Sequence, residues 1–129
     1  MTDDRHAQAA NMSDVFASTE ALRVIYVTCA SLAEAERIGE LLVAERLVAC
    51  VNLLPSMTSI YRWKGNLERA QEVVLLAKTT LARTTAVTER IIALHRYEVP
   101  CVIALPILEG NPAYLAWLRA AVEPDESRP

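Results

Sequence analysis

The sequence predicts an α+β fold: one antiparallel sheet of four strands with two long helices on one face. Three observations lead there. Strand-like and helix-like stretches follow in the order strand, helix, strand, strand, helix, strand, and a short helix comes last. A chain of 129 residues suits one domain around one core. The second and third strands flank a Lys-Gly-Asn turn, so they pair as a hairpin.

"LRVIYVTC", residues 22–29, is rich in β-branched and aromatic side chains and ends at a polar break, as a strand does. "SLAEAERIGELLVAERLV", 31–48, opens with Ser31 and Glu34 at capping-box spacing. Ala35, Ile38, Leu41, Leu42 and Leu47 then make a helical stripe. Gly39 weakens this helix, unless a neighbouring element approaches closely there. "ACVNLLP", 49–55, reads as a strand. Pro55 has no N–H for a ladder and marks a bend, a bulge or an edge.

The extended pattern resumes in "SMTSIYRWKGN", with Ser59, Tyr61 and Trp63 on one side and Ile60 and Arg62 on the other. Lys64, Gly65 and Asn66 form the turn. "LERAQEVVLLAKTT", 67–80, returns, and its run Val73–Ala77 reads as buried on both faces. Thr79 or Thr80 caps a second helix, "LARTTAVTERIIALH", with Val87, Ile91 and Leu94 on one face. Pro100 drives Val99 out of the α region and is expected to end that helix. "CVIALPI", 101–107, is a further strand, with Pro106 pointing to an edge or twist. Asn111 as N-cap and Pro112 at the first helical position open the last helix, which Tyr114 and Trp117 pin to the body.

A βαββαβ order fits the split-βαβ, ferredoxin-like sandwich. Right-handed crossovers place both long helices on one face of the sheet. The other face is left uncovered within one chain, and a partner subunit is its simplest cover. The hairpin from about 49 to 78 is longer than a small sheet needs, which also suggests assembly. Residues 1–21 read as a flexible extension, 22–123 as the single domain and 124–129 as a disordered tail.

The formal charge of −3 gives no electrostatic case for nucleic acid. No apolar stretch approaches the roughly 20 residues that span a bilayer, which argues against a membrane protein. The N-terminus carries acids where a signal peptide carries bases, so a cytoplasmic location is expected. The three cysteines are far apart with no CxxC pair, and in a reducing compartment they remain thiols. No G-x-S-x-G, Walker A or H-E-x-x-H signature occurs, and the three glycines form no phosphate-cradling loop. The expectation is a protein that is not an enzyme and requires no cofactor.

The stretches "ACVNLLP", "TSIYRWKG", "EVVLLAKTT", "HRYEVP" and "LPILEGNPAYLAWL", in that order and spacing, resemble the CutA divalent-cation tolerance family over about Val24 to Val122. The resemblance implies a ferredoxin-like fold and a tight homotrimer whose hairpin arms join across subunits, with an architecture similar to PII signalling proteins. It also implies tolerance of divalent metals, copper above all, and metal-ion binding by some members. The sequence departs from the family pattern at four places. Arg96 stands where proline is typical, Cys101 where glutamate is common, Ser56 in place of a frequent glycine and Lys64 in place of a frequent glutamate. A base at 64 and at 96 makes a nearby pocket less attractive to cations, and a thiol at 101 favours soft metals.

His95 is the first candidate metal ligand, since a neutral imidazole binds copper, zinc or nickel; the bland reading is a histidine serving the helix end or a nearby carbonyl. Cys50, Cys29 and Cys101 are soft donors for Cu(I), or simply small apolar side chains. Tyr61, Trp63, Lys78, Tyr97 and Glu98 are candidates for an inter-subunit pocket. Lys78, ending a buried strand, needs a partner, for which Glu98 or Glu72 serves; with Arg62 and Tyr97 it would grip a small anion. The alternatives to a metal-responsive trimer are a PII-like small-molecule sensor and a trimeric scaffold for a protein partner.

Overall fold

The computed structural model describes residues 20–123. Its elements are β1 (Leu22–Cys29), α1 (Leu32–Ala44), β2 (Cys50–Trp63), β3 (Asn66–Thr80), a 3₁₀ turn (Leu81–Arg83), α2 (Thr84–Leu94), β4 (Val102–Ile107) and α3 (Pro112–Ala121). The sheet order is β2-β3-β1-β4, antiparallel throughout, which is the ferredoxin-like arrangement. Most of the stretches assigned to a terminal extension and a tail lie outside the described residues. Glu20 and Ala21, counted with the extension, are nevertheless tied to the body. The Leu81 N–H donates to Ala21 O (2.8 Å), Ala82 N–H to Glu20 Oε1 (3.0 Å) and Arg119 Nε to Glu20 O (2.9 Å).

The core follows from strand alternation. Ile25, Val27 and Cys29 of β1 and Val73, Leu75 and Ala77 of β3 face one way and meet Ala35, Ile38 and Leu42 of α1 and Val87 and Ile91 of α2. Gly39 is where α1 and β2 come closest: a Cβ there would lie 2.8 Å from Cγ2 of Val51. Ser31 caps α1 by accepting from the Glu34 N–H (3.1 Å). The other half of a capping box is displaced by one residue, because Glu34 Oε1 accepts from the N–H of Ala30 (3.1 Å) rather than from Ser31.

The opposite face of the sheet is largely bare. It carries Leu54, Ile103 and Leu105, which are 53%, 50% and 46% exposed. Among the described residues only α3 covers it, at one end, where the helix crosses β3 near Lys78 and buries Leu22, Leu118 and Val122. The sequence reading left this face wholly open, so α3 is a partial correction.

The two extended stretches either side of Pro55 form one strand, β2, and the bulge between Leu54 and Met57 is one of the features Pro55 was expected to mark. Three local expectations are revised. The turn is Lys64-Gly65 alone, with positive φ at both (49° and 85°), while Asn66 pairs with Trp63; two such residues match the twist of the flanking strands. Neither threonine caps α2. Thr79 lies in β3 and donates to Leu47 O (2.7 Å), and Thr80 makes no side-chain cap. Finally, α2 ends at Leu94, five residues ahead of Val99, because His95 turns extended (φ −81°, ψ 146°). Pro100 is therefore not the terminator. Pro106 sits on β4, an edge strand, where a missing N–H is tolerated.

The bulge puts Ser56 at φ 67°, in the left-handed region. That conformation costs a non-glycine residue about 1–2 kcal/mol, more than the extra unfolded-state entropy of a glycine. Ser56→Gly is expected to stabilise the fold by roughly 0.5–1 kcal/mol in a urea titration; unchanged or lower stability would show that the serine bears no strain.

Candidate functional site

The segment 95–100 leaves α2 and turns back across the end of β1. Hydrogen bonds at His95, Arg96 and Tyr97 hold it. His95 Nε2 lies 2.7 Å from Thr28 O, and the Tyr97 N–H donates to His95 Nδ1 (3.1 Å). A backbone N–H only donates, so Nδ1 is the acceptor and Nε2 carries the proton donated to Thr28. The third bond runs from Arg96 N–H to Glu34 Oε2 (3.0 Å). Glu34, in the first turn of α1, thus serves Ala30 with one oxygen and Arg96 with the other.

Cys29, Glu34 and His95 form a buried cluster whose ligand atoms all lie within 4.8 Å of one another. Two of the four predicted metal ligands, Cys29 and His95, therefore meet, and Glu34 joins them. The cluster does not present a preformed metal site. Both ring nitrogens and both carboxylate oxygens are engaged in the bonds above. Burial, then the neighbouring carboxylates of Glu34 and Glu72, push the Cys29 thiol up to about 11. A metal entering here would have to break the Tyr97–His95 bond and expel a tightly held thiol proton.

Beside this cluster lies an open cleft of about 440 Å³. The arm strand β2 lines it with Ser59, Tyr61 and Trp63, β3 with Glu72, β1 with Thr28, and the turned-back segment with Tyr97, Glu98, Val99 and Cys101. Register puts Glu72 next to Met57 beyond the bulge, which carries the arm aromatics to the same face. Glu72 is only 7% exposed, and the Tyr97 hydroxyl donates to its Oε2 (2.8 Å). Burial and that bond hold the Tyr97 phenol well above its usual range, and burial with Glu72 also raises the Cys101 thiol.

Four of the five predicted pocket residues, Tyr61, Trp63, Tyr97 and Glu98, gather here, and Cys101 with them. Lys78 does not. It stands at the other end of the sheet, where its Nζ donates to the Tyr114 hydroxyl (3.1 Å) and neither Glu98 nor Glu72 is its partner. Cys50 shares that end, its Sγ 3.7 Å from the same hydroxyl, so it belongs to neither the cluster nor the cleft. Glu98 pairs instead with Lys64 (3.6 Å). Arg96 does not line the cleft. Among the described residues its lining holds two carboxylates, one of them paired with Lys64, and neither Lys78 nor Arg62, so the expected anion grip is not assembled here. Glu34 and Glu72 were not among the predicted site residues. The burial of Glu72 was signalled by its place against the apolar run Val73–Ala77, and that of Glu34 only by the cap.

A single-sheet ferredoxin-like domain with a long arm and an acidic, aromatic cleft on its open face is the class defined so far. The profile of the CutA1 divalent ion tolerance protein family matches residues 23–121, and the chain belongs to that family. It is 51% identical over 96 residues to the divalent-cation tolerance protein CutA of Thermus thermophilus, covering 74% of this chain and 93% of that one. A CutA homolog of Xenopus laevis is 48% identical over 97 residues, and the match spans 75% of this chain but only 64% of that longer protein. The solved structure of the Thermus thermophilus protein superposes with a TM-score of 0.76 at 49% identity, covering 78% of this chain and 97% of that one. That of CutA1 from Oryza sativa superposes with 0.78 at 40%, covering 81% and 96%.

A thiol pKa near 11 in place of 9.0 leaves about a hundredfold less thiolate at a given pH. Cys29 is expected to alkylate at least that much more slowly than an unperturbed cysteine at pH 8, read by mass spectrometry of iodoacetamide-treated protein. A raised folded-state pKa also means stability that is intact below about pH 9 and lost as pH climbs towards 11; Cys29→Ala is expected to flatten that alkaline loss. Rapid labelling of Cys29 in the folded protein would contradict both.

Proposed function

We propose that this chain is a divalent-cation tolerance protein that works as a homotrimer and binds metal ions, copper first among them. The observation that carries the reading is the family match across residues 23–121. The uncovered sheet face supports assembly, since an apolar surface of that kind marks a contact with another subunit. For a soft ion, the points of first contact are Cys101 in the cleft and Cys50 at the other end, both partly exposed, whereas Cys29 and His95 lie behind the hydrogen-bonded segment. Cys101 with Glu72 offers a thiol and a carboxylate together. No catalytic role and no required cofactor belong to this reading, and its compartment is the cytoplasm, although relatives are named chloroplastic in Oryza sativa and Arabidopsis thaliana and periplasmic in Archaeoglobus fulgidus.

A second reading is a PII-like small-molecule sensor, and the 440 Å³ cleft is the feature that favours it.

Competition titration with a chromogenic Cu(I) chelator tests the first reading. Cys101→Ser is expected to weaken Cu(I) binding at least tenfold, Cys50→Ser to remove a separate, weaker site, and His95→Ala to lower thermal stability more than affinity. Unchanged stoichiometry and affinity in all three variants would exclude these residues as ligands.

A further inference from the structure

We infer that the cleft between the arm and the segment 97–101 is a binding site for a small organic cation of the alkylammonium class. The inference deepens the small-molecule reading of this cleft and does not depend on the metal reading. Its walls pair aromatic rings, Tyr61, Trp63 and Tyr97, with two carboxylates, Glu72 and Glu98. Ring faces attract a cation through their quadrupole, and carboxylates add charge without competing for the same space. Glu72 is held nearly buried by the Tyr97 hydroxyl, so its charge sits at the back of the cleft, where water screens it least. Metal ions need a convergent set of donor atoms, whereas rings and separated carboxylates suit a larger, softly hydrated cation.

The second observation is an ammonium group of the chain itself held by two of the lining residues. Lys64 Nζ lies 5.6 Å from the centroid of the Trp63 ring and 3.6 Å from Glu98 Oε2. The chain's own side chain thus makes, as a tethered alkylammonium, the two contacts a free one would make. Both partners of that ion pair are well exposed (68% and 73%), so the pair is weak and replaceable. Lys64 thus competes with a free cation for Trp63 and Glu98.

The experiment uses the full chain in chelator-treated buffer, with calorimetry and tryptophan fluorescence as readouts. The probes are tetramethylammonium, 1,5-diaminopentane and the neutral isostere of a quaternary ammonium, 3,3-dimethyl-1-butanol. Both cations are expected to bind and the alcohol to bind at least tenfold more weakly. Trp63→Leu is expected to weaken binding about three- to tenfold. Lys64→Gln, an exposed turn substitution that leaves the core untouched, is expected to tighten it severalfold. Equal binding of the alcohol would overturn the cation assignment while leaving a small-molecule cleft. No binding of any probe to either the parent or Lys64→Gln would overturn the cleft as a ligand site altogether, with copper binding at the thiols unaffected.

Discussion

The buried carboxylate of Glu34 is the constraint on which the functional end of this molecule depends. It is anchored in the first turn of α1, where it accepts from Ala30 and Arg96 at once. A charged group this deep is tolerated only when its lone pairs are met, and here backbone N–H groups meet them. In meeting them it fixes the start of the segment 95–100 against the end of β1. His95 completes the fixing through Thr28 and Tyr97. The same residues that look like metal ligands are therefore what hold Tyr97 over Glu72, and the cleft takes its back wall from that arrangement.

A second constraint acts on the sheet. One layer of helices covers one face, and α3 covers only one end of the other. Among the described residues the apolar side chains on the remainder stay exposed and the arm runs past its own core, and this is the surface that the proposed assembly would cover. The cleft lies on this same face, so in the proposed trimer an occupant of the cleft would lie close to the surface that a neighbouring copy covers.

The fold was legible because strand alternation and helical stripes are strong, local signals: Ile25 and Val27 against Ala35, Ile38 and Leu42 are readable from spacing alone. The edge positions were legible too, from Pro55 and Pro106. Ends were harder. The sequence points to Pro100 as the terminator of α2, but His95 turns the chain earlier through a bond to Thr28, 67 residues away, which no window contains. The site was half legible. Tyr61, Trp63, Tyr97 and Glu98, expected in a pocket between subunits, line one cleft within a single chain. Lys78 was misplaced because its partner is a tyrosine on α3, whose docking on the open face follows from tertiary packing and not from local pattern. Of the two bases expected near the cleft, Lys64 does meet its carboxylate Glu98, whereas Arg96 does not line it, which sequence spacing alone does not distinguish.

The claim that a buried carboxylate pins this segment is tested most directly by amide hydrogen exchange at Arg96 and Tyr97. In the parent protein both amides should exchange slowly, at a rate that follows unfolding of the α1 end of the domain, and Glu34→Ala should release them while β1 and β3 stay protected. Exchange of these two amides at the rate of an unstructured loop in the parent protein would contradict the account.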